Sequence, residues 1–194
     1  MKEILERYSC RDFLDTPLTT EQTQTIVQAA LAAPSGLNRM PWHIIAITNK
    51  NIIDKICAKG MDIVKNDTDQ VAYERLKSRG GTMLYNAPAM FLIATKTDDI
   101  YTLRGNSLHS NISLEAVDLG IVCQNIALSA NSLGLGSVIC AIVGMVLNGC
   151  DKDFWKKELQ IPKGYEFGMA VLVGSAKTTK PPHDLDMTKV SYIN

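Results

Sequence analysis

Apolar positions recur at two spacings along the chain, one helical and one strand-like, and their alternation sets out a mixed fold. Thr19-Thr20-Glu21-Gln22 carries a capping-box signature, in which the two outer side chains each satisfy a backbone N–H of the other residue. It opens a predicted helix with Ile26, Val27, Ala30 and Leu31 on one side, ending before Pro34. Residues 42–48 form a short apolar, β-branched run and are expected to be a buried strand. Ile52, Ile53 and Ile56 predict a helix starting after Asn49 or Asn51. Residues 89–95 and 167–174 read as further central strands, with 136–140 as a fourth. Two stretches lose the pattern: 65–81, a polar excursion, and 175–186, rich in Lys, Thr and Pro.

Residues 111–132 are long enough for about six helical turns. They are apolar nearly all round, from Ile112 and Leu114 through Val117, Leu119, Ile121, Val122 and Ile126 to Ala130. Such a helix needs cover on every side, and a single domain of this size surrounds one only with difficulty. Part of its surface is therefore expected to pack on a second subunit, the alternative being the central helix of a monomeric core. Alternating strands and helices give an α+β fold of three layers with the sheet sandwiched between helices. Residues 1–174 form one domain, and 175–194 a C-terminal arm expected to lie on the partner subunit.

The 194 residues carry 20 Lys+Arg against 20 Asp+Glu, and no basic run is interleaved with aromatics, so no nucleic-acid partner is expected. The longest apolar stretch, residues 138–147, is half the length that a membrane span requires. Five cysteines without a C-x-x-C pair, and an N-terminus lacking an apolar signal core, point to reduced thiols and a cytoplasmic location. Cys10, Cys57, Cys123, Cys140 and Cys150 are too scattered from His43, His109 and His183 for a metal site.

Three segments could carry chemistry. Arg7-Tyr8-Ser9-Cys10-Arg11 sets two guanidiniums and a hydroxyl at a spacing that shares a face, suited to a phosphate dianion or a carbonyl-rich ring edge, or else to a solvated helix face. Pro34, Ser35 and Asn38 sit in a turn-rich loop leading to Trp42, and they either build the turn or offer hydroxyl and amide groups to a heteroaromatic ligand. Gly134 stops the long helix, and Gly136 leaves backbone open for close approach; with Ile139 at the third position this is no dinucleotide fingerprint. His43 is expected to be a satisfied core histidine and Asp98-Asp99 a solvated turn. Lacking acid–base machinery of its own, the chain would borrow chemistry from a cofactor.

In combination, Arg7-x-Ser9-x-Arg11-x-Phe13, Ala33-Pro34-Ser35-x-x-Asn38-x-x-Pro41-Trp42, Asn86-Ala87-Pro88, Asp118-x-Gly120, Gln124-Asn125 and Gly134-Leu135-Gly136-Ser137 resemble the nitroreductase family of FMN enzymes. The order and spacing agree from residue 2 to about 174. The resemblance implies an α/β/α sandwich around a mainly antiparallel sheet, and an intertwined homodimer with two FMN sites, each built from both subunits. It places Arg7, Tyr8 and Ser9 near the FMN phosphate and ribityl chain and Arg11 at the pyrimidine edge. Pro34, Ser35, Asn38 and Met40 come from the other subunit, and Ala141, Ile142, Val143 and Gly144 lie against the ring near N5. No side chain is expected to be catalytic: NADH or NADPH gives hydride to flavin N5 and leaves before a nitroaromatic, quinone or related small acceptor binds.

Three departures from the family pattern stand out. Met40 replaces a usual Gln, and Val143 replaces a Glu found in many members. The tail offers Lys177, Lys180 and His183 around Pro181-Pro182, with Lys180 the best match for a phosphate contact. Alternatives to a general NAD(P)H-dependent flavoenzyme are an FMN-binding module that senses or stores the cofactor, and a specialised member such as a reductive dehalogenase or a flavin-consuming enzyme, with residues 65–81 as its lid.

Overall fold

A computed structural model describes residues 1–68, 70–78, 82–96 and 114–193. His109, Asp98-Asp99, the first three residues of the predicted long helix and part of the 65–81 excursion lie outside the described residues. Four strands make one antiparallel sheet in the order β1-β2-β4-β3, with β1 at Trp42–Ile47, β2 at Ala89–Lys96, β3 at Gly136–Ile139 and β4 at Tyr165–Gly174.

Side chains alternate across the two central strands, so both faces are buried and neither strand shows a polar repeat. Met90, Leu92 and Ala94 of β2, with Ala170 and Leu172 of β4, enter one core. That core is closed by α3 (Lys50–Lys65), α6 (Gly144–Leu147) and α7 (Lys152–Glu158) through Ile53, Ile56, Val146 and Trp155. Ala89, Phe91, Ile93, Val171 and Val173 face the opposite core, under α2 (Thr20–Leu31) and α5 (Leu114–Ser132). The pairing shifts at Gly168, where a Cβ would come within 3.0 Å of the Ile93 carbonyl and 2.9 Å of Leu119, so a glycine lets α5 seat on the sheet.

The capping box forms as read: Thr19 Oγ1 accepts the Gln22 N–H at 3.1 Å, and Gln22 Oε1 accepts the Thr19 N–H at 2.9 Å. Asn49 is the cap of α3, its side chain accepting the Asn51 N–H at 3.0 Å. The 65–81 excursion holds a helix, α4 (Gln70–Lys77), with Leu76 as its buried residue. The short α1 (Lys2–Glu6) has no buried residue and α7 has only Trp155, so neither carries a readable apolar period.

Two readings are corrected. β1 is an edge strand rather than a buried one, with His43 and Ala46 exposed. His43 is accordingly no core histidine; it stands edge-on to Tyr165 with ring centroids 5.9 Å apart. The apolar run looks like a central strand in sequence because both its faces are part-covered, Trp42 and Ile44 packing on one core and Ile45 and Ile47 on the other.

Helix α5 buries Val122, Cys123, Ile126, Ala127 and Ala130 toward the sheet. Its opposite stripe is uncovered among the described residues: Val117 is 43% exposed, and a Cβ at Gly120 would meet nothing within 4 Å. Among the described residues no helix is long and apolar enough to cross a membrane.

Candidate functional site

The residues after α1 are extended and laid on the edge of β3. Ser9 bridges Ser137 in parallel register, and the Cys10 N–H donates to the Ser137 carbonyl at 2.9 Å. Three further bonds clamp the chain beyond Cys10: Phe13 N–H to the Tyr85 carbonyl at 3.3 Å, Leu14 N–H to Ser175 at 2.9 Å, and Lys177 N–H to Asp12 at 3.0 Å. Gly136 permits the close approach, since a Cβ there would stand 2.8 Å from the Cys10 Cβ. In extended backbone alternate residues share a face. Cys10 is buried, so Ser9 and Arg11 turn outward with Arg7, and a solvated helix face is excluded because α1 ends at Glu6.

Tyr8 belongs to the other side of this strand. It packs on the first core, and its hydroxyl donates to the Thr178 carbonyl at 3.1 Å, tying down the start of the arm. Burial raises its phenol pKa. Burial likewise pushes the Cys10 thiol up, opposed by its backbone hydrogen bond at Asp12 and, more weakly, by the charge of Lys180. His183 is exposed further along the arm.

The second segment is a strained loop. After Ser35, a 3-10 turn at Gly36–Asn38 leads to Met40, and Leu37, Asn38 and Met40 have φ of 55°, 53° and 45°. Asparagine tolerates this region, whereas each of the other two costs about 1–2 kcal/mol. Local bonds enforce the geometry: Asn38 N–H to the Ser35 carbonyl at 3.0 Å, Arg39 N–H to Gly36 at 3.3 Å, and Met40 N–H to Ser35 Oγ at 2.8 Å. A hydroxyl has one donor and two acceptor positions, so Ser35 can still donate outward. The Gly36 N–H donates to Asp118 Oδ1 of α5 at 3.0 Å, and Asp118 is 2% exposed. Pro34 and Asn38 are exposed, as are Leu37 at 80% and Met40 at 49%.

The third segment begins at Cys140, whose N–H donates to the Ala170 carbonyl at 2.8 Å. Ala141–Val143 make a 3-10 turn that runs into α6 at Gly144. Ala141 is exposed and Ile142 and Gly144 are half-buried, but the Val143 side chain is fully buried in the first core. A ligand at this turn would meet Ala141, Ile142 and backbone. Burial pushes the Cys140 thiol up to about 11, against the N–H groups of Val143 and Ile142 that point at it.

These segments do not converge within one chain. Asp118 holds the loop near the start of α5, while the Asn131 amide near its end donates to the Glu3 carbonyl at 3.2 Å, beside the turn that leads into β3. The helix between Asp118 and Asn131 is about 20 Å long. The loop and the arginine strand thus lie toward opposite ends of α5. A groove of about 530 Å³ includes Tyr8, Asn131, Gly134, Ser175 and Thr179 in its lining, but none of Arg7, Ser9 and Arg11. Of the three, Arg11 is exposed and Arg7 and Ser9 are half-buried. Sequence reading counted Asp118 among the residues that carry the family resemblance, as Asp118-x-Gly120, but gave it no role in the site.

Residues 4–175 match the model of the Nitroreductase family. A solved nitroreductase with bound FMN from Desulfitobacterium hafniense DCB-2 is 39% identical, with a TM-score of 0.88 over 100% of this chain and 97% of that one. An NADPH-flavin oxidoreductase from Vibrio harveyi is 29% identical over 142 residues, 71% of this chain and 51% of the relative. An oxygen-insensitive NADPH nitroreductase from Helicobacter acinonychis is 29% identical over 153 residues, 71% of this chain and 72% of the relative. The chain thus spans about half the length of the Vibrio relative. It spans 58% of a further match, from Methanothermobacter thermautotrophicus.

Proposed function

The chain belongs to the nitroreductase family, and from that premise we propose that it is an FMN-dependent oxidoreductase that takes electrons from NADH or NADPH and passes them to small acceptors of the nitroaromatic or quinone type. The observation that carries this reading is the clamped segment, where two guanidiniums, Arg7 and Arg11, flank the Ser9 hydroxyl and make a donor-rich set. That donor set fits FMN, a phosphomonoester dianion joined to a ring whose pyrimidine edge is rich in carbonyls. When bound, FMN supplies hydride acceptance from a nicotinamide and delivery to the acceptor.

This chain's residues bind and orient. Arg7 and Ser9 would hold the phosphate and ribityl chain, with Lys180 approaching from the arm, and Arg11 the pyrimidine edge. A cation there favours the electron-rich form of the ring, because fixed charge in a partly desolvated site needs no reorganisation. Ser35 donates its hydroxyl proton and Asn38 its amide from the other subunit. Ala141 and Ile142 exclude water from one edge.

Association as a homodimer is part of the reading. The two half-sets lie too far apart in one chain to meet one ring, and α5 carries an uncovered apolar stripe. The arm from residue 180 onward exposes Leu185, Met187, Val190, Tyr192 and Ile193, while among the described residues β1 has a strand neighbour on one edge only. A partner that covers α5 and receives the arm accounts for all of these.

The test is direct. Purified protein should be yellow, release about one FMN per chain on denaturation, and oxidise NAD(P)H steadily once a nitroaromatic or quinone is added. Colourless protein that takes up no added FMN overturns the reading, and FMN uptake without turnover leaves a binding module in its place.

A further inference from the structure

We propose that Asp118 is a positioning residue for the FMN site: from inside α5 it fixes the loop of residues 36–40, and through that loop the donors that its own chain lends to the partner's flavin. The inference rests on the functional reading above. Asp118 Oδ1 accepts the Gly36 N–H at 3.0 Å across 82 residues of sequence, and the carboxylate is buried at 2% exposure. What it holds contributes nothing to the core, because no residue of the Gly36–Asn38 turn is buried and Arg39 and Met40 are exposed. Two non-glycine, non-asparagine residues in that loop occupy left-handed backbone, a conformation that persists only where the surroundings over-determine it. Three of the bonds that enforce it are internal to residues 35–40; the bond to Asp118 ties the loop to the fold. A buried acid spent on an exposed, strained loop sets geometry rather than packing.

The competing account is purely structural, with Asp118 an acid in the second turn of α5 that favours the helix dipole. The two differ in what a conservative change does. Asp118→Asn keeps an acceptor for the Gly36 N–H but loses the charge, whereas Asp118→Ala leaves the N–H without this partner. The test is FMN titration of dimeric apoprotein, monitored by flavin fluorescence well below the melting temperature, with melting curves recorded alongside. Expected is an FMN Kd raised about tenfold or more by Asp118→Ala and restored to within about threefold of wild type by Asp118→Asn. If Asp118→Ala yields no folded dimer, Gly36→Pro removes the donor from the loop side, where the extended Ser35 accepts a proline after it, and the same weakening is expected.

Asp118→Ala or Gly36→Pro dimers that melt lower but bind FMN within about twofold of wild type overturn the inference, as do Asn and Ala variants that are equally weak. Wild-type protein that takes up no FMN overturns the functional reading and this inference together.

Discussion

The Cys10 N–H donates to the Ser137 carbonyl at 2.9 Å, which bridges the arginine-bearing segment to the edge of β3. The contact is as close as it is because residue 136 is glycine. Gly136→Ala sets a Cβ 2.8 Å from the Cys10 Cβ and 3.0 Å from its sulfur, inside a packed core. The expected outcome is a loss of about 1–3 kcal/mol in denaturant unfolding, together with weaker FMN binding, because the shifted strand carries Arg7, Ser9 and Arg11.

Arg7→Ala separates the ligand role from the fold. Its side chain is not part of either core, so unfolding free energy should hardly change. Loss of a charge-assisted bond to a phosphate costs about 1.5–3 kcal/mol, which fluorescence titration reads as a roughly 10- to 150-fold rise in FMN Kd. An unchanged Kd would return Arg7 to the solvent.

The uncovered stripe of α5 gives a test of association that spares the core. A Cβ at position 120 meets nothing within 4 Å, and glycine is a poor helix former, so in an isolated subunit Gly120→Arg should gain up to about 1 kcal/mol. In a dimer closed over α5 the same arginine is buried without a partner. Sedimentation should show monomer with native circular dichroism and no bound flavin. Ile121→Asp is the less clean probe, because Ile121 packs on the second core.

Burial of Cys123 and Cys140 is expected to make stability fall at alkaline pH. Burial raises Cys123 from 9.0 to about 12 and Cys140 from 9.0 to about 11. The folded state therefore keeps protons that the unfolded chain releases near pH 9. The stabilisation is fully present below pH 9 and is lost above it, at about 1.4 kcal/mol per pH unit per thiol until each folded pKa is passed. Melting temperature should fall steeply between pH 9 and 11, and the Cys123→Ala, Cys140→Ala double variant should show a shallower slope. Ellman's reagent at pH 8 should meet the exposed Cys150 first, with Cys10, Cys123 and Cys140 reacting only on unfolding.

Much of this was legible in the order of residues. The Thr19 and Gln22 pair announces α2 because capping is a local geometry, and the unbroken apolar runs of β2 and β4 announce burial on both faces. The spacing of Arg7, Ser9 and Arg11 was legible as a possible site, but their extended backbone was not, since it depends on Ser137 and Ser175, far along the chain. For the same reason Tyr8 read as a neighbour of the ligand although its ring turns to the core. β1 was misread because an edge strand with both faces part-covered has the same composition as a central one, and α4 went unseen because Leu76 alone marks its buried side. Left-handed backbone at Leu37 and Met40 has no signature in those residue types.

The distance along α5 between the loop and the arginine strand has a consequence for mixed populations of chains. If each site takes its phosphate grip from one subunit and its loop from the other, lesions in the two halves need not add. Co-expressing an Arg7→Ala chain with an Asn38→Ala chain yields mixed dimers in which one site inherits both lesions and the other inherits neither. Each mixed dimer would keep one of its two sites intact, and with random pairing about half the dimers are mixed, so roughly a quarter of all sites would regain normal flavin affinity, whereas either allele alone leaves every site weakened. Interallelic complementation of that kind is the genetic face of a helix whose two ends serve different active sites.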